Sequence, residues 1–144
     1  MPNHLEIIHV EGSDPKFNMP YAPAIKVLSG KTVYIAGVTA AGIYHSHPHV
    51  PSEFDHISSD PAEQARLAMD NLGLALRAAG GDFSHVVQLF RFIKDLDRNQ
   101  DAMGPVIARY FGDHRPTSTT VEVVRLATDP RLVLELTATA VVPD

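Results

Sequence analysis

The chain has no cysteine. A disulfide framework, a thiol nucleophile and a thiolate metal site are therefore all excluded. It also lacks any long basic run, and its formal net charge is −5. The electrostatic footprint of a nucleic-acid binder is missing, so no nucleic-acid partner is expected. No apolar run reaches membrane-spanning length, and the N-terminus lacks the charged and apolar regions of a signal peptide. The expectation is a cytoplasmic protein with no membrane partner. What is present is globular: 44% hydrophobic and 20% charged residues over 144 positions, enough for one domain with a real core.

Two C-terminal stretches carry the strongest pattern. Ser118 to Leu126 and Arg131 to Val142 are rich in β-branched residues, as a pleated, half-buried surface requires. In the second, Leu132, Leu134, Leu136, Ala138 and Ala140 alternate with Val133, Glu135, Thr137, Thr139 and Val141. The leucine side is suited to cover helices. The threonine side holds one carboxylate among small residues, which is too little charge for a solvent face. It is expected to pack on a further subunit, with Glu135 at a cleft.

Upstream, Leu5 to Val10 reads as a short strand, and Asn18 to Pro23 as an extended segment held by its prolines. Ala24 to Leu28 and Lys31 to Ala36 flank Ser29-Gly30, which predicts a hairpin. Residues 41–60 form an expanded loop holding His45, His47, His49 and His56, half of the eight histidines. Extended backbone would put His45, His47 and His49 on one side, and three imidazoles can hold zinc or a similar ion. No fourth ligand or supporting partner is visible, so no metal or other cofactor is expected. The loop is expected over the mouth of a site, where one imidazole carries a proton.

Asp60-Pro61-Ala62-Glu63 predicts a helix start with Asp60 as N-cap and Glu63 closing a capping box. Ala65, Ala68, Met69, Leu72, Leu76 and Ala79 follow at helical spacing, and Gly80-Gly81 ends the helix. Ser84 to Leu96 reads as a long strand with Val86, Phe90 and Phe92 on one face, and Val87, Leu89, Arg91 and Ile93 on the other. Arg91, on apolar surroundings, is expected to make an edge or interface ion pair or to bind an anionic ligand. A second helix is expected from near Asp101 to Phe111, because Pro105 belongs in a first turn.

These residues resemble a known family. Arg115-Pro116, Thr120 to Leu126 and Leu134 to Ala140 are similar to the C-terminal signature of the Rid (YjgF/YER057c/UK114) family of small enamine/imine deaminases. Pro20-Tyr21, Gln64-Ala65, Asn71-Leu72, Ala78 to Gly80 and Lys94 to Leu96 fit the same pattern. The resemblance implies an α+β fold like that of trimeric chorismate mutase. One mixed sheet carries two helices on one face, and a homotrimer has a cleft at each subunit interface. It also implies small-molecule substrates, with Tyr21 and the Gly37 backbone lining the cleft.

Several positions depart from the family. Ala36-Gly37-Val38 stands where the family has serine-glycine-glutamine, which makes the pocket less polar. Gly104 takes the place of a cleft-lining asparagine. The arginine that grips a substrate carboxylate falls at Ser118, and the family's cysteine falls at Thr120; the water-positioning glutamate is kept as Glu135. A serine cannot replace a bidentate cationic clamp. The expected activity is hydrolysis of an enamine, imine or related activated molecule other than a simple 2-imino acid. Glu135 would be the acid/base, and Tyr21, Gly37, Val38, Arg91, Ser118 and Thr120 would contact the substrate. The alternatives are a tautomerase, cyclase or lyase step in the same cleft, and a non-catalytic ligand-binding or ribonuclease-like trimer.

Overall fold

The computed structural model describes residues 2–144. Its elements in chain order are β1 (Leu5–Ile8), β2 (Ala24–Val27), β3 (Lys31–Val38), α1 (Pro61–Ala78), β4 (Val86–Lys94), α2 (Leu96–Phe111), β5 (Thr117–Val123) and β6 (Leu134–Val142), with short 3-10 turns at Pro51–Phe54 and Phe83–His85. This is the expected succession of strands and helices in an α+β chain. Among the described residues no helix is long and apolar enough to cross a membrane.

The strands form two sheets rather than the one expected. β1 and β2 make an antiparallel ribbon, and the main sheet runs β3-β6-β4-β5. β6 is antiparallel to both neighbours, whereas β5 runs parallel to β4. A parallel pair needs a crossover, and α2 supplies it. The predicted β2–β3 hairpin does not form, because β2 pairs with β1 and β3 with β6. Gly30 carries the chain between the two sheets at φ +109°, and a Cβ there would lie 2.6 Å from the Val142 carbonyl oxygen. Its missing side chain thus serves a close backbone approach, not a two-residue turn.

Both helices cover one face of the main sheet. The core joins Ala65, Ala68, Met69, Leu72 and Leu76 of α1 and Met103 and Ile107 of α2 to Leu89, Ile93, Leu134, Leu136, Ala138 and Ala140. The leucine side of β6 is the helix side, as its alternation predicts. Asp60 caps α1 by accepting from the Ala62 N–H at 3.1 Å. Glu63 does not complete the box; it pairs with Arg66 one turn on, a surface choice available because Ser58 Oγ already accepts the Asp60 N–H. The Gly80-Gly81 stop forms as expected, with Gly81 N–H donating to the Leu76 carbonyl at 2.9 Å.

Several boundaries differ from the sequence reading: β1 stops at Ile8, β3 reaches Val38, β4 stops at Lys94, β5 stops at Val123 and β6 starts only at Leu134. The long strand starts at Val86, and α2 starts at Leu96, five residues before Asp101, with Pro105 inside it. An interior proline gives up its own backbone hydrogen bond and crowds the carbonyl four residues back; the glycine before it, Gly104, has no Cβ and so adds no clash with the ring on that side. β4 also carries a bulge between Val86 and Gln88. The extra residue turns Val86 to the helix side with Leu89 and Ile93, away from Phe90 and Phe92.

A buried glutamine staples the loops to this frame. Gln64 Nε2 donates to the carbonyls of Ser58 and Arg131, both at 2.9 Å, and Gln64 Oε1 accepts the Val133 N–H at 2.8 Å. Asn71 Nδ2 donates to the carbonyls of Thr39 and Ala41, both at 2.9 Å, and so holds the root of the 41–60 loop.

Candidate functional site

The register of the sheet sorts the expected site residues into two groups. Leu89 lies opposite Ser118 and Arg91 opposite Thr120, while Arg91 also lies opposite Leu136. Cross-strand partners share a face, so Ser118, Thr120 and Arg91 all point to the helix side. Phe92 lies opposite Glu135, which places Glu135 on the outer face with Phe90 and Thr137. Glu135 therefore does not share a pocket with Ser118, Thr120 and Arg91 within one chain. Period-2 alternation gives the face of each residue along its own strand, but only the register relates one strand to the next.

The first group lines a cavity of about 710 Å³ between α2 and the β4–β5 edge, with Tyr21, Arg91, Ser118 and Thr120 joined by Asn18, Gln100, Asp101 and His114. Tyr21 reaches it because the Ala22 N–H donates to the Pro116 carbonyl at 3.0 Å, which ties the N-terminal arm to the start of β5. Gly104 lines the same cavity, and a Cβ there would meet nothing within 4 Å. The missing side chain leaves open space. His114 Nε2 donates to the Val86 carbonyl at 2.7 Å. Burial pushes its pKa below the ordinary imidazole value, which favours the neutral ring.

Arg91 is the distinctive member. Within the chain it makes no ion pair: among the described residues no carboxylate lies within 4.0 Å of its guanidinium, and its buried Nε has no hydrogen-bond partner. Burial lowers its pKa from the usual guanidinium range, yet arginine stays charged in proteins. An unpaired, largely desolvated cation lining a cavity is a costly arrangement unless something anionic completes it.

The second group surrounds Glu135. Gly37, Val38, Thr39, His45 and Thr128 line a small cavity of about 180 Å³ with it. β3 is irregular between Ile35 and Val38, and a Cβ on Gly37 would sit 2.9 Å from Glu135 Cδ. The glycine thus lets the carboxyl group lie against the backbone, where an N–H or C=O can orient a ligand. Glu135 has no ion-pair partner among the described residues; Arg131, four residues back in the chain, bonds Asp55 and Asp129. Burial raises the Glu135 pKa above the ordinary carboxylate value, as proton transfer near neutral pH requires.

Sequence reasoning missed Asn18, Gln100, Asp101 and His114. The first three are polar residues on exposed-looking segments, and nothing in their local pattern distinguishes them. His114 carried a signal, since it directly precedes the Arg115-Pro116 motif.

Comparison with known proteins agrees with this architecture. The family described as Endoribonuclease L-PSP matches residues 11–142. A RutC family protein of Sulfurisphaera tokodaii is 36% identical over 80% of this chain and 83% of its own. The human 2-iminobutanoate/2-iminopropanoate deaminase is 29% identical over 83% of this chain and 79% of its own. The crystal structure of the Rid-family protein YyfB of Yersinia pestis, a protein of unknown function, superposes with a TM-score of 0.78 at 26% identity, covering 96% of this chain and 99% of that one. With the family pattern running through nearly all of its length and the same fold beneath it, this chain belongs to the endoribonuclease L-PSP, or Rid (YjgF), family.

Proposed function

We propose that this protein is a Rid-type hydrolase that deaminates an enamine or imine carrying an anionic group, in a cleft between subunits. The observation that carries the reading is the unpaired guanidinium of Arg91 in one cavity with Ser118 and Thr120. The sequence reading found the carboxylate clamp missing at Ser118. Arg91 stands two residues along the sheet and one strand inward, on the same face. A cation is thus present but displaced. A displaced clamp, Gly104 in place of a larger residue and a cavity of about 710 Å³ favour a substrate larger than 2-iminopropionate. Homologues named as 2-imino acid deaminases support the reaction class.

Glu135 is the acid/base of this reading. Because it lies on the opposite face from Arg91, one chain holds two half-sites. A second copy laid against the outer face, where Tyr34 and Val121 are exposed, brings the Arg91 cavity of one chain to the Glu135 cavity of the next. The substrate anion docks on Arg91, and water attacks the imine carbon. Glu135 positions that water, takes its proton and passes it to the nitrogen of the resulting carbinolamine; the C–N bond then breaks, the hydroxyl proton returns to Glu135 or solvent as the carbonyl forms, and ammonia leaves.

The test is ammonia release from a panel of 2-imino acids of increasing side-chain size, generated in situ. Turnover is expected to be poor on 2-iminopropionate and higher on bulkier members. Glu135→Gln is expected to lower turnover by about 10²–10⁴-fold, the usual range for acid/base catalysis. No ammonia from any member, or full activity in Glu135→Gln, overturns the reading. The ribonuclease reading attached to the family's name gains nothing from a chain of net charge −5.

A further inference from the structure

Three imidazoles converge in the 41–60 loop. The ring centroids of His45 and His47 are 4.8 Å apart, those of His47 and His49 4.9 Å, and those of His45 and His49 5.3 Å. One ring nitrogen from each lies within 4.8 Å of the other two. Alternate side chains on an extended strand start roughly 6.5–7 Å apart, so these rings lean together rather than stand side by side. Spacing in the sequence places them on one side; it does not predict that they meet.

The surroundings favour ligation. His45 Nδ1 lies 2.9 Å from the Gly42 carbonyl oxygen. A carbonyl only accepts, so Nδ1 carries the hydrogen and Nε2 is left with its lone pair free. That is the partner arrangement which fixes the tautomer and orientation of metal-ligating histidines. His45 and His49 both pack edge-on against Phe54, a fully buried ring. The Ser46 N–H donates to Glu53 Oε1 at 3.3 Å and closes the loop from the other side.

We propose that His45, His47 and His49 bind one divalent transition-metal ion of the zinc class. The donor set is three imidazoles with no carboxylate in the cluster. Such a set selects zinc, cobalt, nickel or copper over magnesium and calcium. Three protein ligands leave the fourth tetrahedral position to water or substrate, the pattern of catalytic rather than structural zinc. Zinc–nitrogen bonds of about 2.0–2.1 Å put the three nitrogens roughly 3.3 Å apart. His47 and His49 are exposed, and their rings are free to rotate that far. His45 also lines the Glu135 cavity, so the ion stands at the rim of that cavity.

The experiment uses tag-free protein stripped with a chelator and gel-filtered. Zinc chloride is titrated by calorimetry, and cobalt chloride is followed by visible absorption. One ion per chain is expected, with a rise in melting temperature and the intense visible bands of four-coordinate cobalt. His47→Ala and His49→Ala are expected to weaken zinc binding at least roughly tenfold, since even an outer-shell partner is worth that much. His56→Ala, outside the cluster, is expected to leave it unchanged. Absence of saturable binding, or equal affinity in His47→Ala, overturns the proposal and marks the ion as adventitious. Neither result depends on imine hydrolysis, so this proposal and the functional reading fail separately.

Discussion

At the scale of single residues, Arg91 and Glu135 are both ionisable groups with no counter-charge among the described residues, and on the proposed reading each has a stability effect opposite to its effect on function. Arg91 is largely desolvated and has no ion-pair partner among the described residues. Replacing an uncompensated cation with an apolar side chain of similar length is commonly neutral or stabilising. Arg91→Met is therefore expected to melt at the same temperature or higher. It is also expected to lose about 10- to 150-fold in kcat/KM on an anionic substrate, from about 1.5–3 kcal/mol for a hydrogen bond to a charged group. Calorimetric melting beside steady-state kinetics checks both, and a less stable Arg91→Met would show that the arginine is structural. Burial raises the Glu135 pKa. The folded chain then binds more protons than the unfolded one as pH rises from the ordinary carboxylate value to the raised one, so stability falls across that window and stays lower above it. Glu135→Gln removes the titration. It is expected to flatten that part of the melting curve against pH and to be no less stable than wild type at pH 7.

At the scale of elements, the 41–60 loop and the turn before β6 depend on Gln64 more than on their own residues. Gln64 is fully buried and bonds Ser58, Arg131 and Val133. Gln64→Leu leaves the Val133 N–H and two carbonyls without partners. A buried unpaired group costs about 1–3 kcal/mol, so a melting-temperature loss on the order of 3–10 °C is expected for a chain of this size. An unchanged melting temperature would mean that water replaces the amide. This element was half legible. Gln64-Ala65 was visible as part of the family pattern, but a glutamine inside a helical stripe gives no sign that it faces inward to satisfy backbone 67 residues away in sequence. The start of α2 is not legible for a similar reason: Pro105 by itself points to a first turn, whereas the burial of Met103, Val106 and Ile107 against the sheet favours helix on both sides of it.

At the scale of the whole molecule, the proposed hydrolase requires assembly, since Arg91 and Glu135 lie on opposite faces of the sheet. The outer face of the sheet carries Phe90 and Phe92 with ring centroids 6.4 Å apart, beside exposed Tyr34 and Val121. Light scattering is expected to give three times the chain mass at micromolar concentration, and a monomer would sink the cleft. A sharper check mixes two inactive variants. If each site takes Arg91 from one chain and Glu135 from its neighbour, every mixed trimer of Arg91→Met and Glu135→Gln chains holds one intact interface. Cyclic symmetry then predicts that co-refolded mixtures regain about a quarter of wild-type activity. No recovery would place both groups' roles within single chains.

The sequence by itself determined the class and order of the elements, the helix side of β6 and the family, because each is written in local periodicity or in contiguous motifs. It also marked Ser118 as a departure from the family's clamp. Three things were decided only by tertiary structure. The separation of Glu135 from Ser118 and Thr120 follows from the β4 register with both β5 and β6. The exposure of Arg91 to a cavity without a partner depends on which helix crosses above it. The meeting of His45, His47 and His49 depends on a loop held from outside by Asn71 and propped on Phe54. Each is a relation between segments distant in sequence. Periodicity reports on which side of its own segment a residue lies, and only packing decides what it meets there.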